Sequence, residues 1–313
     1  MPETILQPAE VASALHDIKA EGLGPGSGGF VVDGTKLYNG WFLKTERLIF
    51  KSGGILSFSI QAQDKRNLFY VIAKEIVCED SESPGTITWQ PKPIGGAPAA
   101  GGQAPTGAHA TVDDQGGGPG SNGAMGPQGY QGYSAPFITV VTLSVPGSGP
   151  IVDFRGQDGD PGGMGQRGGD GGNGAKGHPA SSGAFDCKNG AGNGGPGGPG
   201  GAGGQGGPGG TGGHGGTVTL ISTPVLLPGL TAKFRSLLSG GQGGSGGPGG
   251  PGGNGGLGGP RGAPALPWCK DDGSPGGNGA AGPGGPTGNA GLVGNAGDLL
   301  VGAVSEEQFS TVW

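Results

Sequence analysis

Gly240–Gly262 reads GGQGGSGGPGGPGGNGGLGGPRG, and no other stretch constrains the fold as tightly. Glycine holds one position of every triplet from end to end, and a second position in all but the last triplet. Three residues per turn is the period of a polyproline-II-type helix rising about 3.1 Å per residue, so a block of this length is a rod about 70–80 Å long. The same phase recurs at Gly156–Gly177, from Gly192 or Gly194 to Gly216, and at Gly273–Gly297. A shorter run spans Gly117–Gly132, and a ragged one Gly95–Gly107.

The 313 residues include 83 glycines and 28 prolines, and only 32% are hydrophobic, which is poor material for an ordinary apolar core. Collagen, disorder and a glycine-packed fold compete for such a composition. Collagen requires one long Gly-X-Y register, whereas here the register breaks at segments such as His178–Asn189 and Ala263–Asp272. A flexible linker has no reason to hold phase through eight turns or to repeat one length. The expected fold is therefore mostly non-α: an antiparallel bundle of polyglycine-II helices, in which backbone hydrogen bonds between rods replace a side-chain core.

Other segments have ordinary composition. Residues 1–29 hold a helix candidate, PAEVASALHDIKA at 8–20, followed by a glycine hinge. Pro8 suits a first helical position, and Val11, Leu15 and Ile18 follow helical spacing. Residues 30–94 carry strand-like runs punctuated by Asp33-Gly34, Gly53-Gly54 and Pro84-Gly85, and are expected to form a small β domain for attachment or assembly.

Within 95–297 a larger repeat appears. Phe137–Ser144, a turn, Ile151–Arg155 and a glycine block match Thr217–Thr223, a turn, Leu230–Arg235 and a glycine block. These units are expected as β hairpins at 133–155 and 217–239, stacked in a solenoid-like way at one end of the bundle. Residues 298–313 are a terminal strand and tail. If successive rods alternate in direction, the strand-rich connectors sort to one end. Loops 108–115, 178–189 and 263–272 sort to the other, so Cys187 and Cys269 share the loop end, as a disulfide or as neighbouring thiols. Cys78 reads as buried filling.

A net charge of −6 without a Lys/Arg cluster disfavours nucleic acid as a partner. No apolar run approaches a membrane span, and the first residues show no Sec signal. Gly-x-Gly-x-x-Gly occurs throughout the glycine blocks and so identifies no nucleotide site, and there is no Walker loop. No nucleophile elbow is present. His109, His178, Asp186, Asp271 and Asp272 match no metal-ligand spacing. No catalytic residue, metal or cofactor is expected. The loop end is still distinctive, because Phe185 and Trp268 stand beside acids and amides, a common means of gripping sugars and polar surfaces.

The glycine blocks between 95 and 297, joined by variable loops and preceded by a non-glycine segment, resemble the polyglycine-II-sandwich tip adhesins of T-even-like phage long tail fibres. That resemblance implies attachment to a carrier fibre protein, a rigid spacer, and distal loops that recognise a bacterial surface receptor, protein or glycan. By position those loops are 108–115, 178–189 and 263–272, with His109, Asp113, Asp114, His178, Phe185, Asp186, Trp268, Lys270 and Asp271 as candidate contacts. It also implies a virion or extracellular surface location. The inserted strand-turn-strand units depart from the family, and no attachment motif is recognised in Phe30–Trp89. Snow-flea antifreeze protein shares the glycine architecture, but the varied X residues here argue against an ice-binding face. The competing expectation is a filament or sheath subunit that pairs with further copies of itself through β segments and rod edges.

Overall fold

The computed structural model describes residues 3–20, 28–96, 98–99, 101–265, 269 and 273–310. The chain begins with β1 (Thr4–Ile5) and α1 (Pro8–Ala20), then winds into coils of one strand in each of two sheets. β2 (Gly29–Val32) and β3 (Thr35–Tyr38) form the first coil. β4 (Phe42–Phe50) and β5 (Ile55–Phe58) form the second, which returns through α2 (Ile60–Lys65). β6 (Leu68–Cys78) and β7 (Thr86–Trp89) form the third, and β8 (Phe137–Ser144) and β9 (Ile151–Asp153) the fourth. After a small hairpin of β10 (Ser181–Ser182) and β11 (Cys187–Asn189) come β12 (Val218–Ser222), α3 (Leu227–Lys233) and β13 (Arg235–Leu237). β14 (Leu299–Ala303) and α4 (Glu306–Ser310) close the described chain.

Strands of successive coils pair in parallel, giving a seven-stranded sheet ordered β1-β14-β12-β8-β6-β4-β2 and a five-stranded sheet ordered β13-β9-β7-β5-β3. The inward residues of the two sheets make the core. Phe58 stacks on Phe69 with ring centroids 4.3 Å apart, and Leu56, Ile76, Ile87, Ile138, Val152, Phe154 and Leu220 are fully buried around them. Each such side chain contributes about 1.5–3 kcal/mol. The second and third coils stack with an offset of 28 residues from β4 to β6, where Arg47 meets Glu75 and Lys51 meets Glu79, and the same offset brings Lys92 to Asp64. Later it lengthens to 80 residues, as between Thr142 and Ser222, because the return leg is no longer α2 but a long glycine excursion out and back.

The glycine runs continue the sheets. Runs 1, 3 and 5 (101–110, 156–177, 240–262) leave the five-stranded sheet, and runs 2, 4 and 6 (116–134, 192–216, 273–297) lead into the seven-stranded one. The ladder passes from strand to run without a break. Phe154 N–H donates to Leu237 O at 2.9 Å and Gly156 N–H to Ser239 O at 3.0 Å; the series then advances three residues at a time to Gly177 and Pro260. In the other layer, Gly117 N–H donates to Pro196 O and Gly194 N–H to Ser274 O, again advancing together. Bonds also cross between layers, as from Gly198 N–H to Gly172 O at 2.8 Å, where the chain directions oppose.

These findings correct the expected fold class. Two parallel sheets are its framework, not an antiparallel polyglycine-II bundle with hairpins, and within each layer the runs are parallel because they extend parallel strands. β8 and β9 do not pair as a hairpin. Both bury residues toward a shared core, so each must find its partner in the neighbouring coil. For the same reason the segment 30–94 is not a separate small β domain, since β6 pairs with β8 and β7 with β9. Leu230–Arg235, read as a strand, is mostly α3, with proline in its first turn. β5 ends at Phe58, and the next residue, Ser59, caps α2, its Oγ accepting from Ala62 N–H. Among the described residues no helix is long and apolar enough to cross a membrane.

Candidate functional site

At the end of the glycine layers away from the sheets, three returns meet: 108–115, 178–191 and 263–265 with Cys269. Trp268, Lys270 and Asp271 of the expected contacts lie outside the described residues. In the first return Ala110 N–H donates to Asn173 O, Asp114 N–H to Lys176 O and Gln115 N–H to Val112 O. The tight reversal places Asp114 at φ 66°, a left-handed conformation that aspartate tolerates better than most residues. Its carboxylate then faces the start of the second return. Oδ1 accepts from His178 N–H at 2.9 Å, and Oδ2 lies 2.5 Å from His178 Nδ1.

This pair shifts both groups. The bond from His178 N–H, then the one from its ring, holds the Asp114 carboxyl below the usual carboxylate range. The Asp114 hydrogen bond raises the His178 imidazole above its ordinary value. Gly192 makes the approach possible, because a Cβ there would lie 2.2 Å from His178 Nδ1 and 2.4 Å from Asp114 Oδ1. His109 takes a different part: its Nδ1 accepts from Asn173 N–H at 2.9 Å, tying runs 1 and 3 together.

The second return carries the β10–β11 hairpin. Ala180 N–H donates to Ala263 O, Gly183 N–H donates to Asp186 O at the hairpin tip, and Cys187 is disulfide-bonded to Cys269 with Cα atoms 4.8 Å apart. The hairpin is thereby tied to the third return on both of its sides. Phe185 is 90% exposed, so it presents its ring to solvent and does not plug the end of the layers. Asp113 and Asp186 are also exposed. Among the described residues no three His, Cys, Asp or Glu side chains gather as a metal site would require.

The structure thus joins Asp114 to His178 and Cys187 to Cys269, and places Phe185 and Asp186 on one hairpin tip. It holds His109 in the ladder between runs 1 and 3. Sequence reading missed Gly192 and Lys176; both sit inside glycine-phase runs, where nothing local marks them as loop supports. It also missed a cavity of about 540 Å³ at the opposite end, where Trp89, Asp153, Arg155, Gln157, Asp158 and Gln242 line the junction of sheet and glycine layer. Its polar groups are largely spent on one another. Arg155 forks onto Asp153, and Gln157 donates to Lys92 O while Asp158 accepts from Gln242 N–H.

The class so defined is a two-layered parallel coil whose late returns are drawn out into glycine runs and end in disulfide-tied loops. No protein-family model matches the chain, and no curated protein does. Among solved structures, a springtail antifreeze protein from Granisotoma rainieri, described as a nine polyproline type II helical bundle, is 25% identical. The match covers 56% of this chain and 94% of that one, with a TM-score of 0.13, a likeness too low to carry an argument about this chain.

Proposed function

We propose that the chain is a non-enzymatic adhesin of a virion or other extracellular surface, whose loop end binds a bacterial surface receptor, protein or glycan, while its sheet end meets a carrier. The observation that carries this reading is Phe185, 90% exposed at the tip of a hairpin that a disulfide fastens to its neighbour. An aromatic ring held out in water on a braced support has the character of an interface anchor. A disulfide at that point also suits an oxidising, extracellular setting.

The filament alternative has weaker support. Addition of further runs beside run 6 requires bare edges, yet its outward positions carry Asn278, Ala281, Thr287, Ala290 and Val293. In run 4 the equivalent position must be glycine, since a Cβ at Gly194 would lie 1.9 Å from Gly259 O.

The test is binding of fluorescently labelled full-length chain to a panel of bacterial strains, measured by cytometry. Phe185→Ala is expected to lower apparent affinity about 30-fold, the size of an anchor worth roughly 2 kcal/mol. Arg47→Ala, on the outer face of the seven-stranded sheet, is expected to leave it unchanged. Equal binding by the Phe185 variant and the parent to every strain that retains the parent would refute loop-end recognition.

A further inference from the structure

The N-terminal segment occupies a place that its own sheets do not require. β1 lies beside β14 at one edge of the seven-stranded sheet, with Leu6 N–H donating to Val301 O at 2.8 Å, while β2 lies at the opposite edge. Between them α1 straps the outer face of the sheet and buries Val11, Leu15 and Ile18 against Tyr70, Ile72, Val141 and Ile221. None of these residues belongs to the core between the sheets, which closes around Phe50, Phe58, Phe69 and Phe154 without them.

The groove under the strap is built by register. Ile72 stands beside Val141, Val141 beside Ile221, and Ile221 beside Gly302, giving one apolar stripe across four parallel strands. Gly302 marks where the strap comes closest, because a Cβ there would lie 2.6 Å from Val11 Cγ2. The strap is joined to the body only through residues 21–28, Glu-Gly-Leu-Gly-Pro-Gly-Ser-Gly, half of which are glycine.

We propose that the groove on the seven-stranded sheet is an interaction surface for residues 3–20 of a second copy of this chain, so that copies join by exchanging their N-terminal straps. A strap from another copy makes the same contacts as the chain's own: the same apolar stripe under α1 and the same edge pairing of β1 with β14. Intrachain and interchain docking therefore differ only in the linker and in chain concentration, the condition under which identical elements exchange between protomers. Addition of β1 to an exposed strand edge is a recurrent mode of peptide docking. The proposal is independent of what the loop end binds, since the groove and the loops lie at opposite ends of the glycine layers.

Two full-length variants with complementary defects test it. Val11→Asp/Leu15→Asp spoils the strap and leaves the groove, whereas Gly302→Val fills the groove and leaves the strap; Ile72→Asp is the alternative groove variant if Gly302→Val does not fold. Each variant alone is expected to be a monomer with rapid amide exchange over residues 8–20. Mixed, they are expected to give a 1:1 complex of twice the 30.0 kDa chain mass by light scattering, with exchange slowed over 8–20 of the groove variant only. A mixture that stays monomeric, with both chains retaining protected sheets, would overturn the proposal. Assembly of either variant on its own would equally place the contact elsewhere.

Discussion

Gly201 shows how little room the glycine layers leave. A Cβ at that position would lie 2.0 Å from Ser121 O and 2.5 Å from Ser121 C, both backbone atoms that cannot turn aside. Gly284 instead stands on the outward edge of run 6, in line with Ala281 and Thr287, and the nearest atom to its Cβ would be Gly250 O at 3.8 Å. Gly201→Ala is therefore expected to cost about 1–3 kcal/mol by overpacking, while Gly284→Ala is expected to be neutral or to add about 0.4–1 kcal/mol by restricting the unfolded chain. Paired thermal melts check this, and equal loss from both substitutions would contradict it. At the loop end the decisive side chains are Asp114 and His178. His178 has a raised value when folded, so its contribution is full below the ordinary imidazole value and disappears as pH rises through the raised one. Asp114 is depressed, so its contribution is full above the ordinary carboxylate value and disappears as pH falls through the lowered one. The tether is accordingly strongest between those two limits. In Asp114→Asn the His178 ring, followed by NMR, is expected to titrate nearer the ordinary value; an unchanged titration would mean that the pair does not set it.

The hairpin of β10 and β11 shares its stability with a distant partner, because the Cys187–Cys269 disulfide closes a loop spanning 82 residues. Loop closure of that size corresponds to about 4.5 kcal/mol in the chain-entropy account. Cys269→Ser is expected to lower overall stability by up to that amount and to speed amide exchange at Ala180 and Gly183. Exchange at Gly198 and Gly253, inside the runs, should stay slow, and equal acceleration there would show that the staple holds the layers as well as the tip. The same separation in sequence explains what was legible beforehand. The triplet phase states locally where a Cβ is forbidden, so the positions of the runs could be read from glycine alone. Partner choice could not be. Val140 stands beside Leu220 in the next coil, and nothing between Ser144 and Ile151 distinguishes a hairpin turn from a coil corner. Ser59 is a readable cap for α2, but Leu56–Ile60 alternates apolar and polar like a strand and masks it. Cys187 and Cys269 could be brought to one end by counting runs, but the Asp114–His178 contact depends on which runs are neighbours, which the phase does not encode.

Continuity between sheet and glycine layer makes the three-residue phase a property of the entire molecule. Run 4 is flanked by runs 2 and 6 in its own layer and by runs 3 and 5 in the other, and its backbone donates to or accepts from all four. Length and phase can be separated by deletion. Removing residues 206–208 shortens run 4 by one turn, about 9 Å, but returns every later residue to an equivalent position. Removing Pro208 alone shortens it by only about 3 Å, yet moves each residue on one side of the cut to a wrong edge. Side chains then point at backbones that tolerate no Cβ, as where Thr211 and His214 take the places of Gly210 and Gly213, at which the nearest oxygens to a Cβ would be 1.9 and 2.0 Å away. If phase governs stability, the one-residue deletion is the more damaging, with a loss beyond the 4–5 kcal/mol that marks exceptional single changes. The three-residue deletion should keep a cooperative melt and a disulfide-tied tip. Thermal unfolding of the two variants side by side decides the matter. A milder effect from the one-residue deletion would mean that reach between the sheets and the loop end, and not the register of backbone bonds, holds run 4 in place.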